Sequence, residues 1–183
     1  MFTHPAKTTR PHLCQGFTLV EILVVVVILG ISSAMIIPQI GSRDDLRAAS
    51  MARVIMADLA YVQSRAVSTQ KRQYVRFDTA TNVYEVFDQI LPTPTPVTHP
   101  LEHTPFKVPL GSGRSDDLRA VVLDEVTFDS KTALAFDELG TPYACDPTTG
   151  ACTALAAGSI RLRSKDYTLT ITVQPYSGEL RVN

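Results

Sequence analysis

Glu21 is the side chain with the most chemistry to offer. It stands in Gly16-Phe17-Thr18-Leu19-Val20-Glu21, and the apolar run continues after it for sixteen uncharged residues, to Ile37. A carboxylate in hydrocarbon is costly, so a membrane-length run that keeps one invites a functional explanation. The remaining candidates are thiols and imidazoles. Cys145 and Cys152 flank Asp146-Pro147-Thr148-Thr149-Gly150-Ala151, whose Pro-Thr-Thr-Gly is turn chemistry able to bring the sulfurs together. A disulfide closing so short a loop suits an oxidising compartment. The alternatives are two free thiols or half of a metal site, and no second Cys or His pair matches them. His99, Glu102 and His103 lack the helical zinc-protease spacing, and the prolines around them argue against a helix. No metal or cofactor is expected.

These groups depend on the elements that carry them. Phe17 to Ile37 is an apolar run of twenty-one residues. As a helix it spans ~31 Å, close to the ~30 Å bilayer core. An ordinary membrane anchor or export signal would look the same apart from Glu21. Three fates of the N-terminus compete. A general secretory signal would be cut after Ser32-Ser33-Ala34, a small-x-small site. A lipoprotein would use Cys14, but the apolar run follows that cysteine instead of preceding it. The third fate is cleavage between Gly16 and Phe17, which keeps the helix. Glu21 favours the third, because a discarded signal gains nothing from a carboxylate.

Gly16, Phe17 and Glu21 resemble the processing signal of type IV prepilins and type II secretion pseudopilins. Pro38 falls where many pilins carry a helix-kinking proline. The resemblance implies cleavage after Gly16 by a membrane prepilin peptidase, which also N-methylates Phe17. It also implies Glu21 as an assembly residue. The physics agrees. A small residue at Gly16 lets a peptidase approach the backbone closely. Cleavage creates a cationic amine at Phe17, one helical turn from Glu21. Pairing with that amine in a neighbouring subunit would relieve the carboxylate and bring subunits out of the bilayer in register. The competing role for Glu21 is snorkelling toward the headgroups.

The leader carries Lys7 and Arg10 and no acid, whereas Arg43, Asp44, Asp45 and Arg47 cancel beyond the helix. This bias puts the N-terminus in the cytoplasm and the remainder across the inner membrane, in the periplasm of a diderm bacterium. Processing would leave 167 residues with fifteen basic and eighteen acidic side chains, a net charge of −3. Such a balance gives no pull toward nucleic acid.

The expected organisation is a leader over 1–16, a transmembrane and assembly helix over 17–40, an amphipathic helix over 41–70 and a β-rich head over 71–183. Pro38 predicts a kink, and Ser42 followed by Asp45 suits a restarted helix. Ala48, Met51, Ala52, Ile55, Leu59, Val62 and Ala66 share one helical face. From Arg72 the period becomes two. Tyr74–Phe77 and Val83–Phe87 predict a hairpin. Further strands are expected at Ala120–Asp124, Ala133–Phe136, Ser159–Arg163, Tyr167–Val173 and Glu179–Val182, with a final turn at Gln174–Gly178. Residues 89–115 hold six prolines and predict a long surface excursion, mobile or in contact with a partner. The octapeptide Gly41–Ala48 nearly recurs at Gly113–Ala120, and two copies do not make a solenoid. The fold class is α+β: a long N-terminal helix packed on a mainly antiparallel sheet or small sandwich.

No phosphate loop, nucleophile elbow or Cys-x-x-Cys is present, so no enzyme is expected. The head is similar to the GspH/FimT group of minor pseudopilins and minor pilins, on Leu59–Val67, Phe136–Gly140 and Gly178–Val182. That resemblance implies a subunit of a type II secretion pseudopilus, with other pseudopilins as partners. Next comes a minor type IV pilin serving pilus assembly, twitching or DNA uptake. Some DNA-binding relatives carry Gly-Arg-x-Arg near the C-terminus, and here it reads Gly178-Glu179-Leu180-Arg181. An exported periplasmic binding protein or enzyme is the reading from another class.

Overall fold

The structure is a computed structural model, and it describes residues 17–36, 44–111 and 120–183, without the side chains of 34–36. The expected kink at Pro38, the cap at Ser42 and most of the second octapeptide lie outside the described residues. The chain forms two units, residues 1–42 and 43–183, taken separately below.

The first unit holds helix α1, Leu19–Ile36. The second begins with α2, Asp44–Thr69, whose first turn carries Asp44 and Asp45 where carboxylates oppose the helix dipole favourably. Its buried residues are Ala48, Met51, Ala52, Ile55, Leu59, Val62 and Ala66, the stripe expected from the spacing. Three of the seven are alanines, which let the sheets approach the helix axis closely.

Eleven strands follow among the described residues, and every pairing between them is antiparallel. The first sheet runs β3 (Thr95–Pro96), β2 (Val83–Gln89), β1 (Gln73–Asp78), β6 (Ala133–Phe136), β7 (Pro142–Cys145), β8 (Cys152–Ala154). Strand β4 (Lys107–Pro109) also pairs with β2. The second sheet runs β11 (Leu180–Val182), β10 (Tyr167–Val173), β9 (Gly158–Ser164), β5 (Val121–Phe128). One core joins α2 to both sheets. Within it Phe77 of β1 and Phe128 of β5 bring their rings to 5.7 Å across the sheets. A smaller cluster on the other face of the first sheet contains Phe87, Ile90, Ala133, Ala135 and Cys145. Strand β6 is therefore buried on both faces, which is why Ala133-Leu134-Ala135-Phe136 is apolar without alternation.

Three expectations need correction. The proline-rich excursion is part of the head's core. Val97, Phe106 and Leu110 are buried, and β3 and β4 both pair with β2. Val97 N–H donates to Val86 O, Val86 N–H to Phe106 O, and Phe106 N–H to Val97 O. Prolines are compatible with this because Pro96 and Pro109 sit on short edge strands, where a missing donor is tolerated, and the other four lie outside the strands. Strand β5 runs four residues past the expected Asp124, with a bulge between Leu123 and Glu125. The segment around the cysteines holds two strands, β7 and β8, where only a turn was anticipated.

Candidate assembly site

The described part of the first unit is a helix without a polar face. Every large apolar side chain from Phe17 to Ile31 is exposed, the least being Val25 at 46%. The α2 stripe, by contrast, is fully covered. A helix apolar on all sides is stable only in lipid or among other apolar helices. Ser33 fits such surroundings, because its hydroxyl donates to Leu29 O at 2.7 Å and is satisfied within the helix. Among the described residues no helix is long and apolar enough to cross a membrane. The 18 described residues of α1 span ~27 Å, and the expected run continues to Ile37, outside them.

Glu21 lies in the first turn of α1 and carries its only charge. Thr18 caps that turn. Its hydroxyl accepts the Glu21 N–H at 3.2 Å, and its carbonyl accepts the Glu21 and Ile22 amides at 3.1 and 3.3 Å. Phe17 precedes the helix and is exposed. Of the expected cleavage site only Phe17 is described, since Gly16 lies outside the described residues. The Thr18-x-x-Glu21 spacing is the sequence signal for this cap.

Cys145 and Cys152 are register partners on β7 and β8 and form a disulfide, with Cα atoms 4.2 Å apart. Asp146 organises the turn between them. It accepts the amides of Thr148 and Thr149 and the Thr149 hydroxyl, and these bonds hold its carboxyl below the usual aspartate value, the Thr148 amide foremost. Asp78 does the same in the β1–β2 turn, held low first by the Thr81 hydroxyl. His99, considered above as a ligand, is a packing residue. Its ring stacks on Phe106 at 4.5 Å, and its Nδ1 accepts the amides of Leu101 and Glu102, each at 3.2 Å. Among the described residues no group of three His, Cys, Asp or Glu is arranged around a common point for a metal.

Gln63 and the glycines around it form a second arrangement; its residues fall within the motifs Leu59–Val67, Phe136–Gly140 and Gly178–Val182 noted above, but no spacing announces their contact. The Gln63 side-chain amide donates to Gly140 O and to Ser177 O, both at 2.9 Å. One carbonyl belongs to the β6–β7 turn of the first sheet, the other to the β10–β11 turn of the second, so α2 ties the sheets together at this end. Asp137, almost fully buried, braces the first turn by accepting the amides of Leu139 and Thr141. The turn holds Leu139 outward, beside an open groove lined by Ala60, Gln63, Ser64, Val67 and Gly140. The motifs Phe136–Gly140 and Gly178–Val182 meet in space here.

Comparison with known proteins bears on both units. Residues 12–37 match the prokaryotic N-terminal methylation motif. A stretch of 39 residues is 55% identical to the type II secretion system core protein G of Pseudomonas aeruginosa. It takes in 21% of this chain and 28% of that protein, so the chain covers under a third of the relative's length. The structure is similar to the minor pseudopilin EpsH from the type 2 secretion system of Vibrio cholerae, with TM-score 0.50 and 15% identity, covering 75% of this chain and 96% of that one. Against the type IV minor pilin FimU of Pseudomonas aeruginosa the TM-score is 0.45, with 14% identity over 74% of this chain and 91% of that one. The chain thus carries a prokaryotic N-terminal methylation motif over residues 12–37, and its fold of a helix packed on antiparallel sheets is similar to that of the minor pseudopilin EpsH.

Proposed function

We propose that the chain is a minor pseudopilin of a type II secretion system, a non-enzymatic subunit that helps initiate or cap a short periplasmic filament driving protein secretion. The carrying observation is α1: exposed apolar side chains on every side and a single carboxylate in the first turn. On this reading a prepilin peptidase cuts the Gly16–Phe17 bond and methylates Phe17. The chain then waits in the inner membrane with its head in the periplasm. Glu21 meets the Phe17 amine of a neighbouring pseudopilin, and the remaining apolar surface of α1 is covered by other helices in the filament. The resemblance of the N-terminal segment to a type II secretion core protein supports this reading.

Mass spectrometry of the membrane-extracted protein tests the processing, with methylated Phe17 expected at the terminus. A terminus at Met35 would mean that the apolar run is a discarded export signal. Deleting the chain's coding region tests the system. Loss of secretion with pilus functions intact is expected, and loss of twitching with secretion intact would transfer the subunit to a type IV pilus.

A further inference from the structure

The assembly reading gives Glu21 one task, to meet an amine, and leaves open what holds it in position. A helix start leaves four N–H groups without partners, and near a bilayer they are expensive to leave bare. Upstream residues often supply the cap. After cleavage before Phe17 only one residue remains upstream of Thr18, so the new chain end must cap itself. Thr18 is the only residue at that end with a side-chain acceptor other than Glu21. Its hydroxyl takes the Glu21 N–H at 3.2 Å, sharing it with the Thr18 carbonyl at 3.1 Å. Glu21 has the spacing to complete a reciprocal box with the Thr18 N–H, but a carboxylate engaged with a neighbour's amine is not free to do so. The cap then rests on the Thr18 hydroxyl.

We propose that Thr18 is a positioning residue for assembly. Its hydroxyl fixes where α1 begins, and so fixes the height and direction of the Glu21 carboxylate relative to the Phe17 amine. Without this cap the first turn frays, and Glu21, three residues into the helix, frays with it. The inference rests on the assembly role of Glu21, but the capping step is measurable without it.

The test compares Thr18→Val, which keeps the branched shape and loses the hydroxyl, with Thr18→Ser, which keeps the hydroxyl. Each is made in the full chain. Amide hydrogen exchange at Glu21 is read with the protein in lipid nanodiscs, and entry into filaments is read in cells beside Glu21→Ala. Thr18→Val should exchange about fivefold faster at Glu21, the usual scale of a lost N-cap. It should also enter filaments poorly while still being cleaved, and Thr18→Ser should match the unaltered chain in both readouts. Unchanged exchange in Thr18→Val overturns the proposal. So does normal filament entry of Thr18→Val when Glu21→Ala is excluded, or failure of Thr18→Ser to restore both. If Glu21→Ala itself enters filaments normally, the assembly reading of Glu21 fails. Exchange alone then decides whether Thr18 sets the helix start.

Discussion

A Cβ placed on Gly178 would lie 2.7 Å from Gln63 Nε2, in the space that the glutamine amide uses to reach Gly140 O and Ser177 O. Gly178 also has φ +68°, which L side chains rarely adopt. Both constraints act at the point where α2 joins the turns of the two sheets. Gly178→Ala should therefore destabilise the head by about 1–3 kcal/mol, from backbone strain plus displacement of the Gln63 amide. Gln63→Ala leaves two carbonyls without a donor and should cost about 1–3 kcal/mol. The double variant should lose clearly less than the sum, because each change breaks the same pair of hydrogen bonds. Urea unfolding of the purified chain in detergent, followed by tyrosine fluorescence, measures all three. Strict additivity would separate the glycine from the glutamine.

The disulfide closes a hairpin whose cysteines are seven residues apart in sequence. Loop-entropy reasoning for so short a loop gives a contribution of about 2–3 kcal/mol. Cys145 is fully buried beside Ala133 and Ala135, whereas Cys152 is partly exposed. Cys145→Ala/Cys152→Ala should lower the unfolding free energy by that amount, and the urea midpoint with it. It should also leave the midpoint insensitive to dithiothreitol, which lowers that of the unaltered chain.

Acid should weaken the head through three carboxylates. Burial pushes Glu85 up, but Arg76 and Lys107, its register partners on β1 and β4, outweigh it and hold the group below its ordinary 4.5. Asp78 and Asp146 are held below 3.8 by the threonine and amide donors of their turns, the Thr81 hydroxyl leading for Asp78 and the Thr148 amide for Asp146. A carboxyl lowered on folding stabilises the fold above its unfolded pKa, and that stability is lost as pH falls through the folded value. Unfolding free energy should hold steady from neutral pH down to about 5 and fall below it. Glu85→Gln should flatten the upper part of that fall. An unchanged pH profile in this variant would remove the three-strand ion ladder from the account.

How much of this was legible beforehand depends on periodicity. The α2 stripe can be read because helical spacing repeats over five turns, and β1–β2 because two alternating runs flank a turn rich in Asp, Thr and Asn. Glu21 stands out because one charge interrupts a long apolar run. The strands around the disulfide are only three and four residues long, too short for a pattern to emerge. The hydrogen bond from Gln63 to Ser177 spans 114 residues, and no local pattern announces such a contact. In the 89–110 segment prolines hide the core residues. They exclude a central strand, and they do not exclude edge strands that carry Val97 and Phe106 inward.

Phe106 is the anchor of that segment. Its ring is stacked between Tyr61 of α2, at a centroid distance of 6.0 Å, and His99, at 4.5 Å, and it is almost fully buried. Its backbone bonds Val86 on one side and Val97 on the other, so it holds the excursion to the helix and to β2 at once. Phe106→Ala should cost about 3–5 kcal/mol of stability, typical of a large buried aromatic. Because the segment lies at a sheet edge, the loss should fall first on its local order. Limited proteolysis should cut within residues 89–110 well before the rest of the head. Phe106→Leu, which retains most of the apolar volume, should restore much of the stability. His99→Ala should have a smaller effect, because it removes one stacking face and one acceptor for the Leu101 and Glu102 amides while Phe106 stays in place. Equal protease sensitivity of Phe106→Ala and the unaltered chain would show that the excursion is held by its strand pairings, without need of the ring.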